Sequence, residues 1–181
     1  TGSGDLVIAI RCCGICGSDL HMADMHGPDS GMAPLPRGTV MGHEFAGEIV
    51  EVGRDAGSFR AGQRVTAMPY IACGQCAACL TGVGYRCAKA CYSALGRERG
   101  GFAEYMRVGA AETLLLPDGV DFERGALVEP LAVGLHGVNA ARLAPGESVL
   151  IMGAGPIGLA CVLWCRYFGA RHVVVSDRVP E

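Results

Sequence analysis

No run of apolar residues in this 181-residue chain approaches the ~20 needed to cross a bilayer, so the sequence offers no membrane-spanning helix. Charge of one sign is also scarce. Fifteen Lys and Arg stand against 18 Asp and Glu, a net charge of −3, which argues against nucleic acid or an anionic lipid surface as partner. There is no internal repeat, no low-complexity tract and no basic-then-apolar leader. Thr1-Gly-Ser-Gly-Asp5 runs almost at once into strand-like sequence, so the natural start is expected upstream. With half its residues apolar and 18% charged, the chain reads as a folded soluble protein, one large domain or one domain plus part of a second.

Glycine and cysteine are abundant instead. The 28 glycines point to many tight turns and close backbone approaches. Of the ten cysteines, Cys73, Cys76, Cys79 and Cys87 follow the pattern C-x2-C-x2-C-x7-C, which suits metal ligands better than disulfides and implies a reducing compartment, by default the cytoplasm. Two-residue gaps let successive thiolates turn toward one point, and the later cysteine closes a tetrahedron. Four sulfurs with no open position describe a structural zinc site. An iron–sulfur cluster and four unligated thiols are the competing readings.

Leu6–Ile10 reads as a strand followed by a Cys/Gly turn over 12–18, and 27–42 as a loop. Phe45–Val52, Gln63–Ala67 and Gly101–Val108 read as further short strands. Residues 73–100 form a cysteine- and glycine-rich excursion without clear periodicity. Near residue 121 the pattern changes. Asp121 can cap a helix running through Ala126, Leu127, Leu131, Leu135 and Val138. Ser148–Met152 reads as a buried parallel strand. Gly153-Ala-Gly-Pro-Ile-Gly158 follows it, then a helix carrying Ile157, Cys161, Trp164 and Phe168 on one face and ending at Gly169, then the strand His172–Ser176 closed by Asp177.

A glycine fingerprint between an apolar strand and a helix, with an acidic residue about 24 positions on, is the setting of a dinucleotide site. Gly153 allows the turn, Gly155 admits the pyrophosphate, and Gly158 lets helix and strand pack. Helix amides near Ile157 would meet the pyrophosphate. Asp177 would accept from the adenosine ribose and repel a 2′-phosphate, favouring NAD over NADP. The neighbouring Arg178 weakens that preference.

Gly14-Ile-Cys-Gly-Ser-Asp-Leu-His21 and Gly42-His-Glu44 form a second polar constellation. Together they offer a thiolate, an imidazole and a carboxylate, the mixed set of an open catalytic zinc site. These two motifs, then the four-cysteine loop, then Val128-Glu-Pro-Leu131, then the glycine fingerprint, occur in the order of the zinc-containing medium-chain dehydrogenase family, which this chain resembles over essentially its whole length. The Glu129-Pro-Leu-Ala-Val-Gly-Leu-His136 run resembles the butanediol and sorbitol dehydrogenase branch most.

The resemblance implies a GroES-like β domain over 1–130 and the start of a Rossmann domain over 131–181, an α/β plus β protein truncated at both ends. It implies Cys16, His43, Glu44 and Glu129 around a catalytic zinc, with either glutamate as ligand. It implies Ser18 and His21 as a proton relay and Val133 among the coenzyme-binding positions. Capping for Ser18 and a plain surface role for His21 are the bland readings. Asp19 more plainly orients a ligand than does chemistry. Cys12, Cys13, Cys91, Cys161 and Cys165 read as buried thiols.

The function implied is oxidation of a secondary alcohol, diol or polyol with hydride passed to NAD, by a protein that is a homodimer or homotetramer at full length. Threonine dehydrogenase and a non-catalytic zinc protein are the alternatives. A complete dinucleotide domain has about six parallel strands, so this stretch alone is expected to hold little NAD and to turn over slowly or not at all.

Overall fold

The structure is a computed structural model and describes residues 2–24, 35–93 and 98–179. Residues 27–34 of the loop expected over 27–42, and positions 94–97 of the cysteine-rich stretch, lie outside the described residues. The chain separates into two compact units, Thr1–Leu127 and Val128–Glu181.

In the first unit, β1 (Asp5–Gly14), β2 (Glu44–Val52), β3 (Arg64–Ala67), β6 (Tyr105–Gly109) and β7 (Thr113–Leu115) form an antiparallel sheet of order β6-β1-β2-β3-β7. β4 (Tyr70–Ile71) and β5 (Cys91–Tyr92) pair separately. Leu6, Ile8, Phe45, Ile49, Val65, Met106 and Val108 make the core. Their spacing is the two-residue alternation that puts one strand face inward. Each such burial contributes roughly 1.5–3 kcal/mol.

The turn expected over 12–18 is corrected. β1 continues through Cys12 and Cys13 to Gly14, and α1 (Gly17–Asp24) follows. The reason is a long partner. β2 pairs with β1 up to the register pair Gly14–Glu44, so ladder hydrogen bonds keep small residues extended. Gly101–Val108 is strand only from Tyr105 onward, and β7 lies in a stretch where no strand was expected. Within the cysteine-rich stretch stand one helical turn, α2 (Ala77–Leu80), and a 3-10 turn, Gly84–Arg86.

Asp121 caps a helix as expected, its Oδ1 accepting the Arg124 N–H at 2.8 Å. That helix, α3 (Phe122–Ala126), is short, and a separate helix, α4 (Val128–Ala141), begins after Leu127. One continuous helix is therefore corrected to two. Pro130 has no N–H to give the Ala126 carbonyl, and it fits best in the first turn of a new helix. Asp121→Ala is expected to cost about 1 kcal/mol, read as a lower denaturant midpoint with an unchanged slope. The boundary expected after residue 130 would cut α4 in its first turn. The division falls instead at Leu127, leaving α4 whole in the second unit.

In the second unit, β8 (Ser148–Met152) and β9 (His172–Ser176) pair in parallel, joined by α5 (Pro156–Tyr167). A Cβ at Gly134 of α4 would stand 2.7 Å from Ala160 Cβ, so glycine permits the close α4–α5 packing. Trp164 Nε1 donates to the Leu131 carbonyl at 2.7 Å across the same seam. Gly169 closes α5 at φ +81°. Within this stretch β8 is covered on one face. α5 covers one face of the two-stranded sheet, toward which Val149 and Ile151 lie, and Leu150 and Met152 are exposed on the other. No helix of the described residues is long and apolar enough to cross a membrane.

Candidate functional site

β1 and β2 bring the first constellation together. β1 ends at Gly14, and Cys16 lies at the turn into α1. His43 precedes β2, and Glu44 is its first residue. One ligand atom from each of Cys16, His43 and Glu44 lies within 4.8 Å of the other two, with Glu44 buried and the other two half-buried. A soft thiolate, an imidazole and a carboxylate so close are a donor set that zinc accepts, three donors where a tetrahedral ion takes four.

Asp19 braces this set. It is 2% exposed; its Oδ2 accepts the Cys16 N–H at 3.0 Å and its Oδ1 lies 3.4 Å from His43 Nδ1. Within the described residues that Oδ1 makes no hydrogen bond of good geometry. A carboxylate on the Nδ1 side favours the tautomer protonated there, which leaves the Nε2 lone pair for a metal. Ser18 Oγ lies 3.5 Å from that same Nε2. His21 is exposed in the last turn of α1, and no hydrogen bond joins it to Ser18 in the described residues.

One support was not foreseen from sequence. The N–H groups of Gly100, Gly101 and Phe102 donate to the carbonyls of Val40, Gly42 and Met41 at 2.7, 2.7 and 2.9 Å. This seam holds the backbone just before His43. Gly42 has φ +94°, and a Cβ there would lie 2.7 Å from the Phe102 ring and 2.8 Å from its backbone nitrogen. The signal available in sequence was the glycine before His43 and the Gly100-Gly101 pair.

The four cysteines of the long loop also converge, with Cys87 buried and all four sulfurs within 4.8 Å of one another. Cys76 caps α2, Cys79 lies in it and Cys87 follows the 3-10 turn. Sulfur separations are 3.5 Å for Cys76–Cys79 and 3.9 Å for Cys73–Cys79. Four thiolates bound at ~2.3 Å around one tetrahedral ion would stand ~3.8 Å apart, and a multi-iron cluster spreads them wider. Backbone N–H from Gln75, with help from Cys87 and Cys76, pulls the Cys73 thiol down to about 6. Desolvation, then the neighbouring Cys76, pushes Cys79 up to about 11. Four adjacent sulfurs resist ionising together without a cation.

Of the five cysteines expected as buried thiols, Cys165 is buried, while Cys12, Cys13, Cys91 and Cys161 are half-buried. These four lie in strands, or on a helix, beside neighbours that cover only one side. Burial, with Asp19 adding to it and the Glu44 backbone opposing it, pushes the Cys13 thiol up to about 12, so it stays neutral.

In the second unit Gly153 turns the chain at φ +110° and donates to the Ser176 carbonyl at 2.7 Å. Gly155 caps α5 with nothing within 4 Å of where a Cβ would be, the open approach a phosphate requires. Ile157 follows Pro156 in the first turn of α5. A Cβ at Gly158 would run into the Gly153 carbonyl oxygen. The Asp177 carboxylate accepts from Ala154 N–H at 2.6 Å and Val179 N–H at 3.0 Å. These bonds, Ala154 first, hold it below its ordinary pKa, so it is charged and ties β9 to the glycine loop. Arg178 is exposed beside it, Val133 is exposed on α4, and Glu129 stands in the first turn of α4.

The family model described as the alcohol dehydrogenase GroES-like domain matches residues 2–118. The chain is 42% identical over 180 residues to an L-galactonate-5-dehydrogenase of Escherichia coli (strain K12), covering 99% of this chain and 50% of that protein. It is 38% identical over 176 residues to an L-threonine 3-dehydrogenase of Shewanella loihica, covering 97% and 50%. The solved structure of the alcohol dehydrogenase TADH from Thermus sp. ATN1 superposes with a TM-score of 0.89 at 31% identity, covering 100% of this chain and 53% of that one. The chain thus spans about half the length of the curated relatives it matches. By this match across most of its first unit, and by the agreement in fold along its whole length, the chain belongs to the zinc-type medium-chain dehydrogenase family, whose GroES-like domain it carries ahead of the opening of a Rossmann domain.

Proposed function

We propose that the protein to which this chain belongs oxidises a secondary alcohol of a diol, polyol or sugar acid and passes hydride to NAD. The observation that carries this reading is the convergence of Cys16, His43 and Glu44, one sulfur, one nitrogen and one oxygen donor within 4.8 Å. These three residues would hold a zinc ion, which would supply the acidification of an alcohol hydroxyl, and a bound nicotinamide would supply the hydride acceptor.

The chain's own residues do the rest. Asp19 orients His43 and fixes the backbone at Cys16. Ser18, beside His43, receives the substrate proton, and His21 is the outer end of its path. Glu129 is the alternative carboxylate for the metal. Gly153, Gly155, the amides near Ile157, and Gly158 seat the pyrophosphate, with Val133 beside the coenzyme. Asp177 carries its charge to the adenosine ribose, supporting NAD over NADP, with Arg178 the residue that would soften the preference. Cys73, Cys76, Cys79 and Cys87 hold a second, structural zinc. Reduced thiols at both sites fit the cytoplasm.

Both relatives' names specify a hydroxyl on a secondary carbon of a polar chain, which supports that substrate class. Threonine oxidation is the second reading, favoured by the 38% identity to an L-threonine 3-dehydrogenase. The full-length polypeptide is expected to bind two zinc ions and to show a higher kcat/KM for vicinal diols, polyols or L-galactonate than for L-threonine, with NAD preferred to NADP. A single zinc per chain and no alcohol-dependent NADH formation would assign it to the non-catalytic zinc proteins.

A further inference from the structure

Gly14 closes β1 opposite Glu44, the last register pair of the β1–β2 ladder. Facing residues in such a ladder project side chains to the same side, with Cβ atoms about 4.5–5.5 Å apart. Here one partner has no side chain. A Cβ built on Gly14 would overlap Glu44 Oε2 and stand 3.3 Å from Glu44 Cβ and 3.5 Å from its carboxyl carbon. The three atoms nearest to that Cβ all belong to Glu44.

We propose that Gly14 is a positioning residue for Glu44, its missing side chain forming the slot into which the carboxylate folds to face Cys16 and His43. This rests on the reading of Glu44 as a metal ligand. Gly14 is not among the glycines of positive φ, so its backbone is one that any residue adopts. The position requires space, whereas Gly42 requires a conformation as well. Glycine weakens a strand, and the three nearest atoms that a side chain here would meet are those of Glu44.

Glu44 is 8% exposed, so its carboxylate has little freedom to sit elsewhere at no cost. The carboxylate oxygen is nevertheless the far end of a rotatable side chain. An added methyl at 14 therefore displaces the carboxylate, and it asks the strand for only the few tenths of an ångström that a 3.3 Å contact with Glu44 Cβ requires. Metal sites need their donors placed within about 0.5 Å, so the effect falls on the ion.

The test uses the full-length protein with zinc in the four-cysteine loop and cobalt in the mixed site. Gly14→Ala is expected to shift the visible cobalt bands and weaken zinc binding at that site about 10- to 100-fold in chelator competition, the loss typical of disturbed ligand support. Its unfolding midpoint is expected to stay within a few degrees. Glu44→Gln, measured alongside, separates the two claims. If it moves the cobalt bands and Gly14→Ala does not, the slot is overturned and the ligand reading stands. If neither moves them, Glu44 is not a ligand and both fall. Should Gly14→Ala fail to fold, the double variant Gly14→Ala, Glu44→Ala decides. A folded double supports the slot, and an unfolded one shows that Gly14 acts through something other than Glu44.

Discussion

Replacing Cys16 by Ala in the full-length protein is expected to lower kcat/KM by about three powers of ten. Charge stabilisation by a bound ion is worth several kcal/mol, and each 1.36 kcal/mol is tenfold in rate. Cys16 is the sulfur donor of a group that otherwise offers one nitrogen and one oxygen. Without it the site loses one of its two negative donors and the third point of attachment for zinc. Metal analysis is expected to fall from two ions to one per chain, with the four-cysteine loop still loaded. A Cys16→Ala protein that retains both ions and near-normal turnover would remove the mixed site from the mechanism. The fold should hold, because Cys16 is half-buried and outside the core of Leu6, Ile8, Phe45 and Ile49.

The opposite pattern is expected when the four-cysteine loop loses its ion. α2 is a single turn with no buried residue, and β4 and β5 pair over two residues each. Elements this short do not hold themselves in water. The Tyr70 and Tyr92 rings, 5.7 Å apart, are the main aromatic contact nearby. Cys87→Ala, or chelation, is therefore expected to cost several kcal/mol, which for a chain of this size is about 10 °C in Tm. It should also open residues 73–91 to protease.

The pH dependence has a definite sign. An ion must displace the protons that the four thiols hold between them, since desolvation and then the neighbouring Cys76 push Cys79 up to about 11. Metal uptake therefore releases protons. Acidification weakens binding and the stability linked to it, and higher pH strengthens both. A loop equally protected from protease with and without its metal would contradict this account.

Sites whose parts lie close together along the chain were legible from spacing and residue type. Cys73, Cys76 and Cys79 converge because two-residue gaps allow nothing much wider, and Gly153 to Gly158 form one turn whose φ of +110° only glycine takes easily. The strands with clear alternation, such as Glu44–Val52, appeared close to their expected limits. The break at Leu127 could have been anticipated from Pro130. β7 could not, because three residues carry too little pattern and its strand character comes from pairing with β3. The seam from Gly100–Phe102 to Val40–Gly42 was equally hidden, since main-chain hydrogen bonds between distant segments leave no side-chain signature.

Sequence alone determined the chemistry on offer: which residues are sulfur, nitrogen and oxygen donors, where the phosphate turn lies, and which family pattern they follow. Local chain geometry and residue type suffice for that. Only the tertiary structure decided how near Cys16 comes to His43, 27 residues on, that Asp19 reaches both, that Glu44 folds over Gly14, and that Asp177 holds the glycine loop through Ala154. Those distances are set by long-range strand pairing and packing, which arise from the whole ladder and are not encoded in the spacing of any one motif.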